Sequence, residues 1–220
     1  MFEINDIEIK ELPKVLKKET IRESFYGLIQ DANLNCQKLD AIGIKKASDL
    51  LKAVESNELD ILVSKTGISE RYLQQLVGIL YSRRFRLYPL KKIEGIDSKY
   101  IANLLSKGLK NTGDLLLSCK TREDRTKLAE DSGIPVDCLE RLVKTADLMR
   151  LPGVNNTRAT LYLEAGLDSV EKFSTQDPVE ARKYLIDFVE KTKIAKIAPL
   201  PKELETQIAW AKLYPIIVKF

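Results

Sequence analysis

Histidine is absent from this 220-residue chain. That excludes imidazole acid–base catalysis, His-ligated zinc or haem, and every Ser–His or Cys–His nucleophile pair. Cysteine is scarce: Cys36, Cys119 and Cys138 are an odd number, and no two form a C-x-x-C pair. A disulfide framework or Cys-rich zinc site is therefore not expected, and the thiols read as reduced and half-buried. No apolar run reaches the roughly 18 residues of a membrane span. Residues Met1 to Asn5 lack the basic and apolar regions of a signal peptide. The expectation is a cytoplasmic protein with no cofactor, no metal and no membrane partner. An excess of one charge is also lacking, since 36 Lys+Arg against 32 Asp+Glu leave only +4. That is too little to indicate nucleic acid by itself, although its distribution can still matter.

The composition that remains, 44% hydrophobic and 31% charged, is that of a folded chain of one large or two small domains. Short helices dominate. Ser69 is a good N-cap, and Leu73, Leu76, Val77 and Leu80 follow at helical spacing before Pro89. Thr121 to Asp124 reads as a capping box, with Leu128 and Ala129 inward and Gly133 as the stop. Asp177-Pro178 opens a helix towards Lys191. Strand signals occur only at the ends, where Phe2, Ile4, Ile7 and Ile9 alternate with polar residues and Ile216 to Val218 are β-branched.

The chain also repeats itself. Residues Gly43 to Leu51 match Gly108 to Leu116 at five of nine positions, an offset of 65. Gly67-Ile68, Leu73, Leu76 and Val77 match Gly133-Ile134, Leu139, Leu142 and Val143 at an offset of 66. Gly95-Ile96, Leu104 and Gly108-Leu109 match Gly153-Val154, Tyr162 and Gly166-Leu167 at 58. The expected fold class is all-α: tandem helical units in two packed lobes, with possible short terminal strands. Ten residues separate Arg84 from Gly95, but two separate Arg150 from Gly153. That insertion suggests a boundary near residue 90. The expected domains are 1–90, 91–198 and a helical tail at 199–220 that carries Trp210.

Leu151-Pro152-Gly153-Val154-Asn155-Asn156-Thr157-Arg158-Ala159 resembles the helix-hairpin-helix motif, as does Ile93-Glu94-Gly95-Ile96-Asp97-Ser98-Lys99-Tyr100. Each is followed, 13 residues after its first Gly, by a Gly–apolar pair. The stretch from Leu128 to Val154 is more specifically similar to a bacterial tandem helix-hairpin-helix family of unknown function. The likeness covers residues 91–175 well and 25–87 as a worn copy. It implies a turn that holds a nucleic-acid phosphate on backbone N–H groups at the start of the second helix. The usual second Gly is replaced by Asp97 and Asn155, and Gln30 stands where the first unit would have its first Gly. Asp97 can cap its own helix and would repel phosphate. Asn155 is neutral, and Asn156, Thr157 and Arg158 beside it can donate to phosphate oxygens. Hairpin three, with Gly153 at its turn, is thus either a phosphate site or a structural turn.

Arg83, Arg84, Arg86, Lys91 and Lys92 form a ten-residue stretch with no acid, interleaved with Phe85 and Tyr88. It can follow a nucleic-acid backbone or serve as a solvated helix end. Lys191, Lys193, Lys196 and Lys202 form a second acid-free stretch that reads as a linker. Some helix-hairpin-helix proteins are glycosylases with a nucleophilic Lys, and Lys99 stands near that place. Its tempting acid, Asp114, repeats at Asp49 and so reads as a cap. No enzyme activity is expected. Two functions stay open: sequence-independent nucleic-acid binding through hairpin three and the basic connection, or a protein-interaction scaffold that lost phosphate binding.

Overall fold

Helices start where a side chain can accept the free N–H groups of the first turn, and this chain supplies such side chains repeatedly. The computed structural model describes residues 6–19 and 25–220. Its helices are α1 (Leu12–Leu16), α2 (Tyr26–Gln30), α3 (Ala32–Ala41), α4 (Ala47–Glu55), α5 (Leu59–Thr66), α6 (Glu70–Ser82), α7 (Ser98–Ser106), α8 (Thr112–Ser118), α9 (Arg122–Ser132), α10 (Val136–Leu148), α11 (Asn156–Glu164), α12 (Val170–Ser174), α13 (Pro178–Thr192) and α14 (Pro201–Ala211). The fold is all-α, with no strand among the described residues. Ser69 accepts the N–H of Tyr72 at 3.3 Å and opens α6. Thr121 and Asp124 exchange bonds of 3.2 and 3.0 Å across the first turn of α9. Asp177 accepts from Val179 and Glu180, with Pro178 in the first turn of α13.

The possible terminal strands do not form at the described residues, and Phe2 and Ile4 lie outside them. Each end instead pairs within its own unit. Glu8 makes a single antiparallel bridge to Lys46. Lys219 donates one backbone bond to the Lys120 carbonyl at 2.9 Å. Both ends meet the loop before a helix, which offers one or two backbone groups rather than a ladder.

Two compact units result. Unit 1 takes Met1–Phe85 with Lys202–Pro215, and unit 2 takes Arg86–Pro201 with Ile216–Phe220. In unit 1, α3 packs on α1, α2 and α5, and α6 on α2, α4 and α5. Trp210 and Ile208 of α14 are buried there. In unit 2, α10 is central and touches α8, α9 and α11. The apolar positions that recur in the sequence line both cores: Leu50, Leu51, Leu73, Leu76, Val77, Leu115, Leu116, Leu139, Leu142 and Val143 are buried. Leu128 is only half-buried, while Arg125, one turn earlier, is 2% exposed.

The repeat extends to individual hydrogen bonds. Gly108 has φ +85°, a left-handed turn that an L side chain rarely adopts. It lets Leu109 N–H reach back to the Leu104 carbonyl at 3.1 Å. Ile44 to Leu39 and Leu167 to Tyr162 repeat this bond at 3.1 and 2.9 Å. Asp114 then accepts the N–H groups of Lys110 and Asn111, as Asp49 accepts those of Lys45 and Lys46. An incoming segment completes each unit. Leu90 donates to Lys110 and Thr112 to Tyr88 at 3.0 and 2.9 Å, as Ile9 donates to Lys45 and Ala47 to Ile7 at 2.8 Å each. The third copy has no such segment, because its connection is too short. There the buried carboxylate of Asp147, on the last turn of α10, accepts Val170 N–H at 2.8 Å and pairs with Arg150 at 2.5 Å.

Candidate nucleic-acid interface

Hairpin three joins α10 to α11. Gly153 has φ +74°, which turns the chain, and Val154 N–H closes onto the Leu151 carbonyl at 3.2 Å. Asn155 has extended backbone and caps α11, accepting the N–H of Arg158 at 3.1 Å. That bond serves the third residue of the helix. The backbone N–H groups of Asn156 and Thr157 in the first turn have no partner among the described residues. Thr157 and Gly153 are exposed, and the first turn holds no acid.

Asn156 and Arg158 reach sideways rather than outward. Asn156 donates from Nδ2 to the Lys92 carbonyl at 2.9 Å and to the Tyr88 hydroxyl at 3.2 Å. Its Oδ1 accepts the N–H of Glu94 at 3.4 Å. Arg158 donates from Nη1 to the Ile197 carbonyl at 2.9 Å. Both acid-free segments are thereby fastened to the start of α11. Arg86, Lys91, Lys92 and Lys196 are exposed on these segments.

Hairpin two differs in charge. Asp97 accepts the Lys99 N–H at 2.9 Å, a bond to the second residue of α7, and its carboxylate also holds the Lys99 ammonium at 3.3 Å. The backbone bond from Lys99, then its side chain, hold the Asp97 carboxyl below its ordinary range. Lys99 is correspondingly raised by its hydrogen bond to Asp97, the opposite of what a nucleophilic amine requires. Asp114 is engaged in capping α8. Gln30, at the corresponding place in the first unit, ends α2 as ordinary helix and forms no glycine turn.

Arg83 and Arg84 belong to unit 1, where each has an acidic partner. Glu19, 4% exposed, accepts from Arg83 Nε at 2.7 Å and from its Nη2, and from Trp210 Nε1 at 2.6 Å. Arg84 pairs with Glu55 at 3.2 Å and stacks 4.0 Å from the Tyr81 ring centroid. The apparent run of five cations is therefore one pair with a buried carboxylate, one exposed pair and three exposed charges. Its interleaved aromatics face inward or sideways: Phe85 is buried, and the Tyr88 hydroxyl bonds the Lys92 carbonyl at 3.3 Å.

Elsewhere in unit 2 an open groove of about 720 Å³ is lined by Val136, Glu140, Arg141, Lys144, Leu163 and Asp168. Both of its cations are paired, Lys144 with Asp168 at 2.7 Å and Glu140 at 3.4 Å, and Arg141 with Glu164 at 2.6 Å, while Asp137 adds a further negative charge to the lining. Cys36 and Cys119 are buried, and burial pushes both thiols up to about 12. Among the described residues no group of three or more His, Cys, Asp or Glu could hold a metal ion, and no helix is long and apolar enough to cross a membrane.

Sequence reasoning missed Glu19, Arg125 and Asp147. Each is a charged residue in an interior with at least one partner far along the chain: Arg83 and Trp210 for Glu19, Lys219 for Arg125 and Val170 for Asp147. The sole local signal is Arg150, three residues after Asp147 and so on the same side of a helix.

One family model matches the chain: that described as Domain of unknown function (DUF4332), over residues 94–213. No curated protein and no solved structure matches it.

Proposed function

We propose, for a chain that belongs to the family described as Domain of unknown function (DUF4332), a non-catalytic role: binding a nucleic-acid backbone, without regard to sequence, through hairpin three of unit 2. The helix-hairpin-helix likeness of residues 91–175 motivates this reading. The observation that carries it is the start of α11. Two backbone N–H groups are open there, no acid lies in the first turn, and Asn156 and Arg158 fasten a basic segment on either side. A phosphate oxygen can accept from the N–H groups of Asn156 and Thr157 and from the Thr157 hydroxyl, with the helix dipole favouring its charge. Arg86, Lys91 and Lys92, with Lys196 from the second segment, supply the neighbouring positive charge. Arg83 and Arg84 are left outside the proposed site, because each already pairs with a carboxylate in unit 1.

A second reading, the protein-interaction scaffold, is favoured by the many donors already engaged. Asn155 caps, while Asn156 and Arg158 bond carbonyls. One substitution separates the two. Asn155→Asp puts a carboxylate beside the open N–H groups, reproducing the state of hairpin two. Stability should barely change, because Asp caps about as well as Asn. Fluorescence anisotropy with labelled single- and double-stranded oligonucleotides should show wild-type binding that weakens with salt. The variant should bind several-fold more weakly at about 50 mM salt, with less difference at higher salt. A wild type that shows no salt-dependent binding at about 50 mM salt would leave the scaffold as the reading.

A further inference from the structure

Asn156 is the first residue of α11, yet its side chain serves another part of unit 2. Its amide meets three groups of the connection that leads into hairpin two. Nδ2 donates to the Lys92 carbonyl at 2.9 Å and to the Tyr88 hydroxyl at 3.2 Å, and Oδ1 accepts the Glu94 N–H at 3.4 Å. The Lys92 carbonyl also accepts from the Tyr88 hydroxyl at 3.3 Å, which joins these groups into one network. An Asn side chain has one NH₂ and one acceptor oxygen, and here both are spent on a single segment. The equivalent residue of hairpin two, at the sequence offset of 58, is Ser98, which is exposed and too short for such a span.

The same connection already has a main-chain duty. Leu90 N–H bonds the Lys110 carbonyl and Thr112 N–H the Tyr88 carbonyl, which completes the second copy of the repeat. Leu90 and Ile93 are buried, while Lys91 and Lys92 on the short turn Leu90–Lys92 are exposed. The third copy, whose own connection is too short to supply a segment, takes hold of this one through Asn156. The extra residues between Arg84 and Gly95 thus serve two copies, by main-chain bonds in one and by the Asn156 network in the other. Where this turn is held decides whether its cations count. Attraction between a cation and a phosphate falls with distance and is screened over about 8–10 Å at ordinary salt.

We infer that Asn156 is a positioning residue: its side-chain amide holds the Lys91–Lys92 turn beside the start of α11, so that both cations act on a phosphate bound there. The inference rests on the phosphate-binding reading of hairpin three. Asn156 carries no charge, and the backbone N–H that it offers to phosphate does not depend on its side chain. Removing the amide therefore subtracts position and leaves charge unchanged.

Asn156→Ser, which copies hairpin two, tests it in the full-length chain. Hydrogen exchange read by mass spectrometry should speed up in the peptide covering residues 86–95, with α8 and α10 as protected as in wild type. In anisotropy titrations with a labelled DNA duplex, affinity at about 50 mM salt should fall about three- to tenfold. The slope of log affinity against log salt should become shallower by about 1–2, as if one or two phosphate contacts were lost, although no charge has been removed. Lys91→Gln with Lys92→Gln should flatten the wild-type slope by a similar amount, and by less than about half as much in the Asn156→Ser chain. A wild-type slope or wild-type exchange in Asn156→Ser, or lysine effects equal in both backgrounds, would overturn the inference while leaving phosphate binding at hairpin three intact. A wild type without salt-dependent binding would overturn both. Should Asn156→Ser fail to fold, Asn156→Ala takes its place and is judged by the same slope.

Discussion

Arg83 and Lys92 have the same sign and sit in one acid-free stretch, yet their environments differ completely. Lys92 is exposed beside hairpin three, whereas Arg83 holds the buried carboxylate of Glu19 together with Trp210. Composition along the chain registers charge but not the direction in which it points. The difference has a measurable consequence. Arg83→Met leaves the Glu19 carboxylate in the interior with its indole donor but no cation. Such an uncompensated charge should cost about 3–5 kcal/mol in urea denaturation. Oligonucleotide affinity, measured on the fraction still folded, should stay within about twofold of wild type, because the site near α11 does not include Arg83. A loss under about 1 kcal/mol would mean that the pair behaves as an exposed one.

At the scale of elements, the helices and their caps were legible because their causes are local. Ser69, Thr121, Asp177 and Gly133 each mark a boundary that the structure honours. The recurring Gly–apolar pairs likewise revealed the repeated turn. The bridges at Glu8–Lys46 and Pro89–Asn111 were not legible, since they join residues far apart and carry no strand pattern. The third copy was hardest to read, because there a side chain does the work of a main chain. The sequence did place Gly153, Asn155, Asn156, Thr157 and Arg158 at one turn. It could not show that Asn156 and Arg158 bond the carbonyls of Lys92 and Ile197, which depend on packing. Asp147→Ala tests the substitution of side chain for backbone. It leaves both Val170 N–H and the Arg150 guanidinium buried without this acceptor, and should cost about 3–5 kcal/mol. The exposed cap change Asp97→Ala should cost only about 1 kcal/mol. Equal costs, compared by chemical denaturation, would contradict a buried role for Asp147.

At the scale of the whole molecule, the repeat offers a matched pair of probes. Leu76 in unit 1 and Leu142 in unit 2 are equivalent positions and are 0% and 1% exposed. Leu76→Ala and Leu142→Ala should each cost about 2–5 kcal/mol, as core truncations that leave a cavity do. Hydrogen exchange read by mass spectrometry should show the largest loss of protection in the unit that carries the change. A substitution costing less than about 0.5 kcal/mol would remove its residue from the core and break the alignment of the two copies.

The path of the chain also sets an order of assembly during synthesis on the ribosome. Unit 2 has nearly all of its residues once Pro201 has emerged, but unit 1 still lacks Lys202–Pro215. Until Trp210 appears, the Glu19 carboxylate has no indole to bond. The segment made first therefore waits longest for the rest of its unit. At typical translation speeds its apolar surfaces wait on the order of ten seconds after Phe85 is joined. Over that interval the N-terminal unit lacks the helix that carries Trp210, while the later-born unit already has most of its core.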